Sequence, residues 1–245
     1  STFQFKQFAV QQDACAMKVG TDAVLLGAWA KFAPNALRTL DIGTGTGVLA
    51  LMAAQRHPMM HIHALEPEEA AAEQAEQNFL RSPFSDRLLL YPYTAQEYIG
   101  HCLDAYDAII CNPPYFDPSR FLTAADSARQ IARAGVRLSF AELLQCCAQF
   151  LKPDSGEAFF IIPYSEQEAF INAAIDNGFY LARRTRVRPY VGKNPTRLLL
   201  HLSRKLQTPH NDELLLHSET VDPERNARPY SDEYRRLLAD FLTIF

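Results

Sequence analysis

Apolar and polar positions follow two rhythms along this chain. Short continuous apolar runs occur in "LRTLDIG" (37–43), "HIHALE" (61–66), "RLLLYPY" (87–93), "YDAIICN" (106–112) and "GEAFFIIP" (156–163). Their length, and their ends at Gly, Pro or Asn, predict buried strands. Between them, apolar residues recur at helical spacing in 21–33, 47–58, 67–82, 94–103, 139–153 and 165–178. Local signals support these helices. Thr21 is a candidate cap, Pro58 a stop, and Pro67 a first-turn residue. Ser139 and Glu142 have the spacing of a capping box, and Gly178 closes the last helix. "TAADSARQIARAG" (123–135) predicts a further helix. "FYLARRTRVRPY" (179–190) and "TRLLLHLSRK" (196–205), joined by "VGKNP", predict a hairpin of two long strands.

Strands alternating with helices imply an α/β fold, with seven strands in a mostly parallel sheet and a C-terminal antiparallel hairpin. No repeat or composition break divides the chain. It reads as a single domain over 1–245, with an N-terminal lid or helix segment (1–36), a core (37–205) and a C-terminal tail (206–245) that is polar, then briefly helical.

Composition narrows the class only a little. Hydrophobic residues make up 48% of the 245 positions, ample for a large core, and the net charge is −4. The five cysteines have no CxxC spacing and fit buried thiols in a reducing compartment. The start shows no signal-peptide pattern, and no apolar run approaches the roughly 20 residues of a membrane span. A cytoplasmic protein is expected, with no membrane association.

The first long strand runs into "LDIGTGTGVLAL", with Gly43, Gly45 and Gly47 at alternate positions and Asp41 before them. Glycines between a strand and its helix let a ligand approach the backbone closely. Val48 stands where a dinucleotide fingerprint needs its third glycine, and a Walker lysine is missing. An acid ahead of the loop suits a ligand carrying a cationic amino group. Glu66 ends the next strand, at the distance where an acid commonly binds ribose hydroxyls.

The fourth strand ends in Asn112-Pro113-Pro114-Tyr115. In an open parallel sheet, ligands bind beyond the carboxyl ends of the strands at a switch point. An amide or aromatic amine is a poor nucleophile, because its lone pair is delocalised. Two acceptors on its hydrogens, the Asn112 side-chain oxygen and the Pro113 carbonyl, would aim it and stabilise the positive charge that develops on nitrogen. Tyr115 offers a face for stacking a planar group. No general base is needed for this chemistry.

Basic residues cluster in the hairpin, where no acid occurs between 183 and 205. Arg184, Arg186 and Arg188 share one face by alternation, and Lys193 and Arg197 follow. Arg133 belongs to a second group after the NPPY segment. Cations beside an aromatic pocket suit a phosphate backbone.

The glycine loop with Asp41 resembles motif I of S-adenosylmethionine-dependent methyltransferases. NPPY resembles motif IV of amino-methyltransferases acting on adenine N6 or glutamine, and it leaves those two open. "MKVGTDAVLLGAW", "LDIGTGTG", "NPPYF", the Ala132-Arg133 pair with "LSFAELL", and the arginine-rich hairpin together resemble the bacterial tRNA1(Val) (adenine-37-N6)-methyltransferase family nearly end to end. That resemblance implies a Rossmann-like class I fold, S-adenosyl-L-methionine as cofactor, tRNA as partner, no metal and a monomer. It implies cofactor contacts from Asp41, Gly43, Thr44, Gly45, Gly47, Glu66, Pro67, Thr94, Ala95 and Asn112. Asn112, Pro113 and Tyr115 would be catalytic. Arg133, Arg184, Arg186, Arg188, Lys193 and Arg197 would bind RNA. Lys18 and Asp22 would lie near the cofactor or the target base. The alternative is protein glutamine-N5 methylation.

Overall fold

The computed structural model describes residues 1–15, 18–113, 138–222 and 227–245. A short antiparallel pair opens the chain, β1 (Thr2–Gln4) and β2 (Ala9–Gln11). Strand and helix then alternate through α1 (Thr21–Trp29), β3 (Arg38–Ile42), α2 (Val48–Arg56), β4 (His61–Leu65), α3 (Glu69–Arg81), β5 (Leu88–Tyr91), α4 (Ala95–Ile99) and β6 (Ala108–Cys111). After α5 (Phe140–Phe150) and β7 (Glu157–Pro163) come α6 (Gln167–Asp176), the long strands β8 (Tyr180–Arg188) and β9 (Arg197–Ser203), then β10 (His210–Leu215) and α7 (Asp232–Leu238).

Among the described residues the main sheet has eight strands, in the order β10-β8-β9-β7-β6-β3-β4-β5. All neighbours are parallel except β7·β9 and β8·β9, which form the expected antiparallel part. The chain runs outward from β3 through β4 to β5, then returns to β6 on the other side of β3. That reversal makes the carboxyl ends of β3 and β6 the switch point.

Strand count departs from expectation by one. β10, "HNDELL", pairs parallel with β8 and adds an eighth strand at the edge. Only Leu214 in it is buried. An edge strand is paired on one side alone and needs no apolar alternation, so its pattern is weak. The N-terminal strands escape notice for a similar reason, being three residues each.

Alternation along the central strands divides the core. Ala108 and Ile110 of β6 and Phe159 and Ile161 of β7 pack with α1, α2 and α7. Ile109, Cys111, Phe160 and Ile162 pack on the opposite face with α4, α5 and α6. Ile161 and Ile162 are both fully buried, each worth about 1.5–3 kcal/mol. Helix α1 is buried from Ala23 to Trp29, because the sheet, α2 and α7 all pack on it. It ends at Trp29 rather than Ala33, with Pro34 nearby disfavouring helix in the residue before it. Its N-cap is Gly20, and Thr21 is its first residue. The Ser139–Glu142 capping box forms as expected.

Candidate functional site

At the carboxyl end of β3 the chain passes through three glycines in the left-handed region, Gly43 (φ 71°), Gly45 (φ 56°) and Gly47 (φ 84°). They serve different ends. A Cβ at Gly47 would lie 2.5 Å from Phe79, so this glycine lets α3 pack on the loop. A Cβ at Gly43 or Gly45 meets no atom within 4 Å, which leaves a cradle open beside the backbone.

Two acids hold this loop. Asp41 is fully buried, and its Oδ2 accepts from the Thr44 hydroxyl (2.5 Å) and the Ala50 amide (3.2 Å). Its Oδ1 is buried and has no partner among the described residues. Burial pushes the Asp41 carboxyl up to about 7. Glu66, one residue past β4, accepts from the Gly45 amide (2.8 Å) and the Glu68 amide (3.1 Å). Burial also raises its carboxyl above the usual range. Pro67 and Glu68 follow; Pro67 lies ahead of α3 rather than in its first turn, and Glu68 is the N-cap, accepting at its side chain from the Ala71 amide (2.8 Å).

Asn78 of α3 was not singled out by the sequence. It is buried, donates to the carbonyls of Thr46 (2.8 Å) and Gln11 (2.9 Å), and accepts from the Gln11 amide (2.9 Å). This one side chain ties the glycine loop and β2 to α3. Its only sequence signal is a polar residue on the apolar face of an amphipathic helix.

Thr94 and Ala95 stand at the carboxyl end of β5. Thr94 is the N-cap of α4, and its hydroxyl donates to Glu97 (2.8 Å) while accepting from the Glu97 amide (3.2 Å). One hydroxyl lone pair remains beyond these bonds.

Asn112 follows β6 directly, beside β3 across the switch point. Its side-chain Oδ1 is buried without a hydrogen-bond partner among the described residues. Pro113 is buried next to it. Two acceptors, Asp41 Oδ1 and Asn112 Oδ1, thus lie at the ends of adjacent strands with no donor from the described chain. A buried acceptor left unmatched costs about 1–3 kcal/mol, and a ligand carrying amino groups removes that cost. Tyr115 and Arg133 lie outside the described residues.

The hairpin arginines are not the bare stripe that the local sequence suggests. Glu213 of β10 stands 2.8 Å from Arg188 and 3.6 Å from Arg186. Arg184 donates to Asn211 and Gln167, and Arg183 pairs with Asp212 (2.6 Å). Arg197, at the start of β9, pairs with Asp22 at the start of α1 (2.8 Å). Lys193 is exposed at the hairpin tip, with its ammonium 5.8 Å from the Tyr190 ring centroid. Lys18 is also exposed.

The sheet order and the glycine loop at its switch point define a Rossmann-like methyltransferase. The family model of the methyltransferase small domain matches residues 19–142. A tRNA1(Val) (adenine(37)-N6)-methyltransferase of Flavobacterium psychrophilum is 41% identical over 98% of each chain. One of Aliivibrio fischeri is 40% identical over 98% of this chain and 97% of its own. Among solved structures, a predicted O-methyltransferase from Agrobacterium tumefaciens superposes with a TM-score of 0.66 at 18% identity, covering 90% of this chain and 96% of that one. Pyrococcus horikoshii TYW2 in complex with MeSAdo superposes at 0.56 with 14% identity, covering 83% and 70%. These two likenesses speak for the fold. The chain belongs to the tRNA1(Val) (adenine(37)-N6)-methyltransferase family.

Proposed function

We propose that this protein transfers a methyl group from S-adenosyl-L-methionine to N6 of adenine 37 in a tRNA anticodon loop, with tRNA1(Val), named for its relatives, as the substrate. The buried, unmatched Asn112 Oδ1 at the switch point carries this reading. It supplies an acceptor where the reacting amine must be held.

The cofactor supplies an electrophilic methyl group on a sulfonium. The site fits such a ligand through its chemistry. Asp41 Oδ1 can accept from a cationic amino group, directly or through water, and the Gly43–Gly45 cradle admits the ligand against the backbone. Glu66 keeps lone pairs for ribose hydroxyls while holding the Gly45 amide. Thr94 and Ala95 flank the adenine, where the Thr94 hydroxyl can accept from an amino group. Thr44, Gly47 and Pro67 shape the walls.

Asn112 Oδ1 and the Pro113 carbonyl accept the two hydrogens of the target amine and direct its lone pair along the methyl–sulfonium line. Both acceptors gain strength as positive charge grows on nitrogen. The methylated nitrogen is strongly acidic and loses its proton to water, so Asn112 stays neutral throughout. Tyr115 is the stacking platform for the base, which single-stranded loop RNA can present unstacked. The molecule acts as a monomer, with all these residues from one chain.

Tritiated methyl transfer to bulk tRNA, followed by nucleoside analysis, tests this reading. N6-methyladenosine at position 37 is expected. Label in a release factor and none in tRNA would replace it with glutamine methylation. Asn112→Ala is expected to lower kcat by about 10²–10³-fold with the fold intact.

A further inference from the structure

The charge pairing in the hairpin singles out a small patch at its tip. Of the hairpin's basic residues near the carboxyl end of the sheet, Arg186, Arg188 and Arg197 each face an acid. Lys193 faces none among the described residues. A second such cation comes from the tail. Beyond β10 the chain continues along the end of β8, through Leu216 N–H to the Arg188 carbonyl and His217 N–H to the Pro189 carbonyl (2.9 Å each). This brings Arg228 over Tyr190, with its guanidinium 4.3 Å from the ring centroid. Arg228 also donates to the carbonyls of Ser218 and Glu219, and no acid pairs with it among the described residues.

The patch is preorganised. The Lys193 amide donates to the Tyr190 carbonyl (3.2 Å), closing a turn whose third residue, Gly192, has φ 83°. Arg188 donates to the Lys193 carbonyl (2.7 Å) while facing Glu213, so this arginine braces the tip. Val191 is 48% exposed beside it. Two cations without acids among the described residues, an aromatic ring and an apolar residue thus meet at one hydrogen-bonded tip. Three inter-strand steps separate β8 from β6, about 14 Å at an ordinary strand spacing of about 4.8 Å.

We propose that Tyr190, Lys193 and Arg228 form a contact site for the phosphate backbone of the RNA that presents the target adenine to Asn112. This rests on the RNA methyltransferase reading above. The paired arginines of β8 support the site and contribute less of its charge. Arg228, from a segment distant in sequence, is an integral member.

Steady-state methylation and tRNA binding across a salt series test it, using the full chain and Lys193→Gln, Arg228→Gln, Arg228→Lys and, as control, Lys31→Gln. Each Gln variant is expected to raise KM for tRNA several-fold and to reduce the slope of log K against log salt by about 0.7–1. KM for the methyl donor and kcat at saturating tRNA should stay put. Arg228→Lys should keep the slope, as should Lys31→Gln. Lys193 is exposed and its removal leaves the fold unharmed, so an unchanged slope in that variant overturns the site. Arg228→Lys losing as much as Arg228→Gln would overturn the role of charge at 228. If wild-type protein fails to methylate tRNA, the functional reading fails instead. If it methylates tRNA while both Gln variants match it, only the site fails.

Discussion

Gly45 and Gly47 look equivalent in the glycine loop, yet their surroundings assign them different tasks. Both have left-handed backbone, which costs a residue with a Cβ roughly 1–2 kcal/mol. A Cβ at Gly47 also strikes the Phe79 ring, whereas one at Gly45 projects into open space. Gly47→Ala is therefore expected to lose more stability, about 2–4 kcal/mol in urea denaturation, through strain and overpacking together. Gly45→Ala should lose only the backbone strain of roughly 1–2 kcal/mol, yet bind S-adenosylmethionine poorly in isothermal titration, because the new methyl fills the cradle. Asp41 allows a test of pH linkage. Its carboxyl is raised to about 7 in the folded chain, from an ordinary value near 4 in the unfolded one. Between those values the folded state holds the extra proton, so stability is full below about pH 4 and falls as pH rises toward 7. Glu66 shifts in the same direction. Asp41→Asn abolishes this titration. Its unfolding free energy should decline less than the wild type's between pH 5 and pH 7, measured without cofactor. Equal slopes would show that Asp41 titrates normally.

At the scale of elements, β10 decides what the basic hairpin is. Glu213 faces both Arg186 and Arg188 at half-exposed positions, where such pairs add about 0–1 kcal/mol. Glu213→Gln should hardly move the melting temperature. It should nevertheless steepen the salt dependence of RNA binding, since two guanidinium groups lose their acid. An unchanged slope would mean that these arginines stay remote from RNA. Nothing near the hairpin in sequence announces this pairing. The acids arrive from a strand whose own pattern, "HNDELL", carries no alternation. Where burial dictates the residues, the sequence was readable: β6 as "AIIC" buried throughout, and α5 with its Ser139 cap. The glycine loop and the Asn112 turn were readable because chemistry constrains them tightly. Asn78 and Arg228 were not, because their roles exist only through partners far along the chain, Thr46 and Gln11 for one and Tyr190 for the other.

For the molecule as a whole, the C-terminal segment is structural as well as a carrier of Arg228. Phe241 is fully buried in the core that contains Phe5 and α2, and the Arg56 guanidinium sits 4.7 Å from its ring centroid. Its carbonyl accepts from the Lys6 amide (2.8 Å), and the neighbouring Asp240 carbonyl accepts from Gln55 (2.8 Å). Helix α7 meanwhile packs on α1, which holds Trp29, the only tryptophan in the chain. The last residues therefore join the N-terminal strands, α2 and α1 into the same packed layer that supports the glycine loop. Truncating a buried phenylalanine costs about 3–5 kcal/mol. Phe241→Ala should lower the unfolding free energy by that amount, in a single transition seen alike by far-ultraviolet circular dichroism and Trp29 fluorescence. A tail merely docked on a finished core would behave otherwise. Its release would change Trp29 fluorescence first and leave the main loss of ellipticity near the wild-type midpoint. Coincident transitions shifted together by the substitution would show that the core and the segment bearing Arg228 fold as one unit.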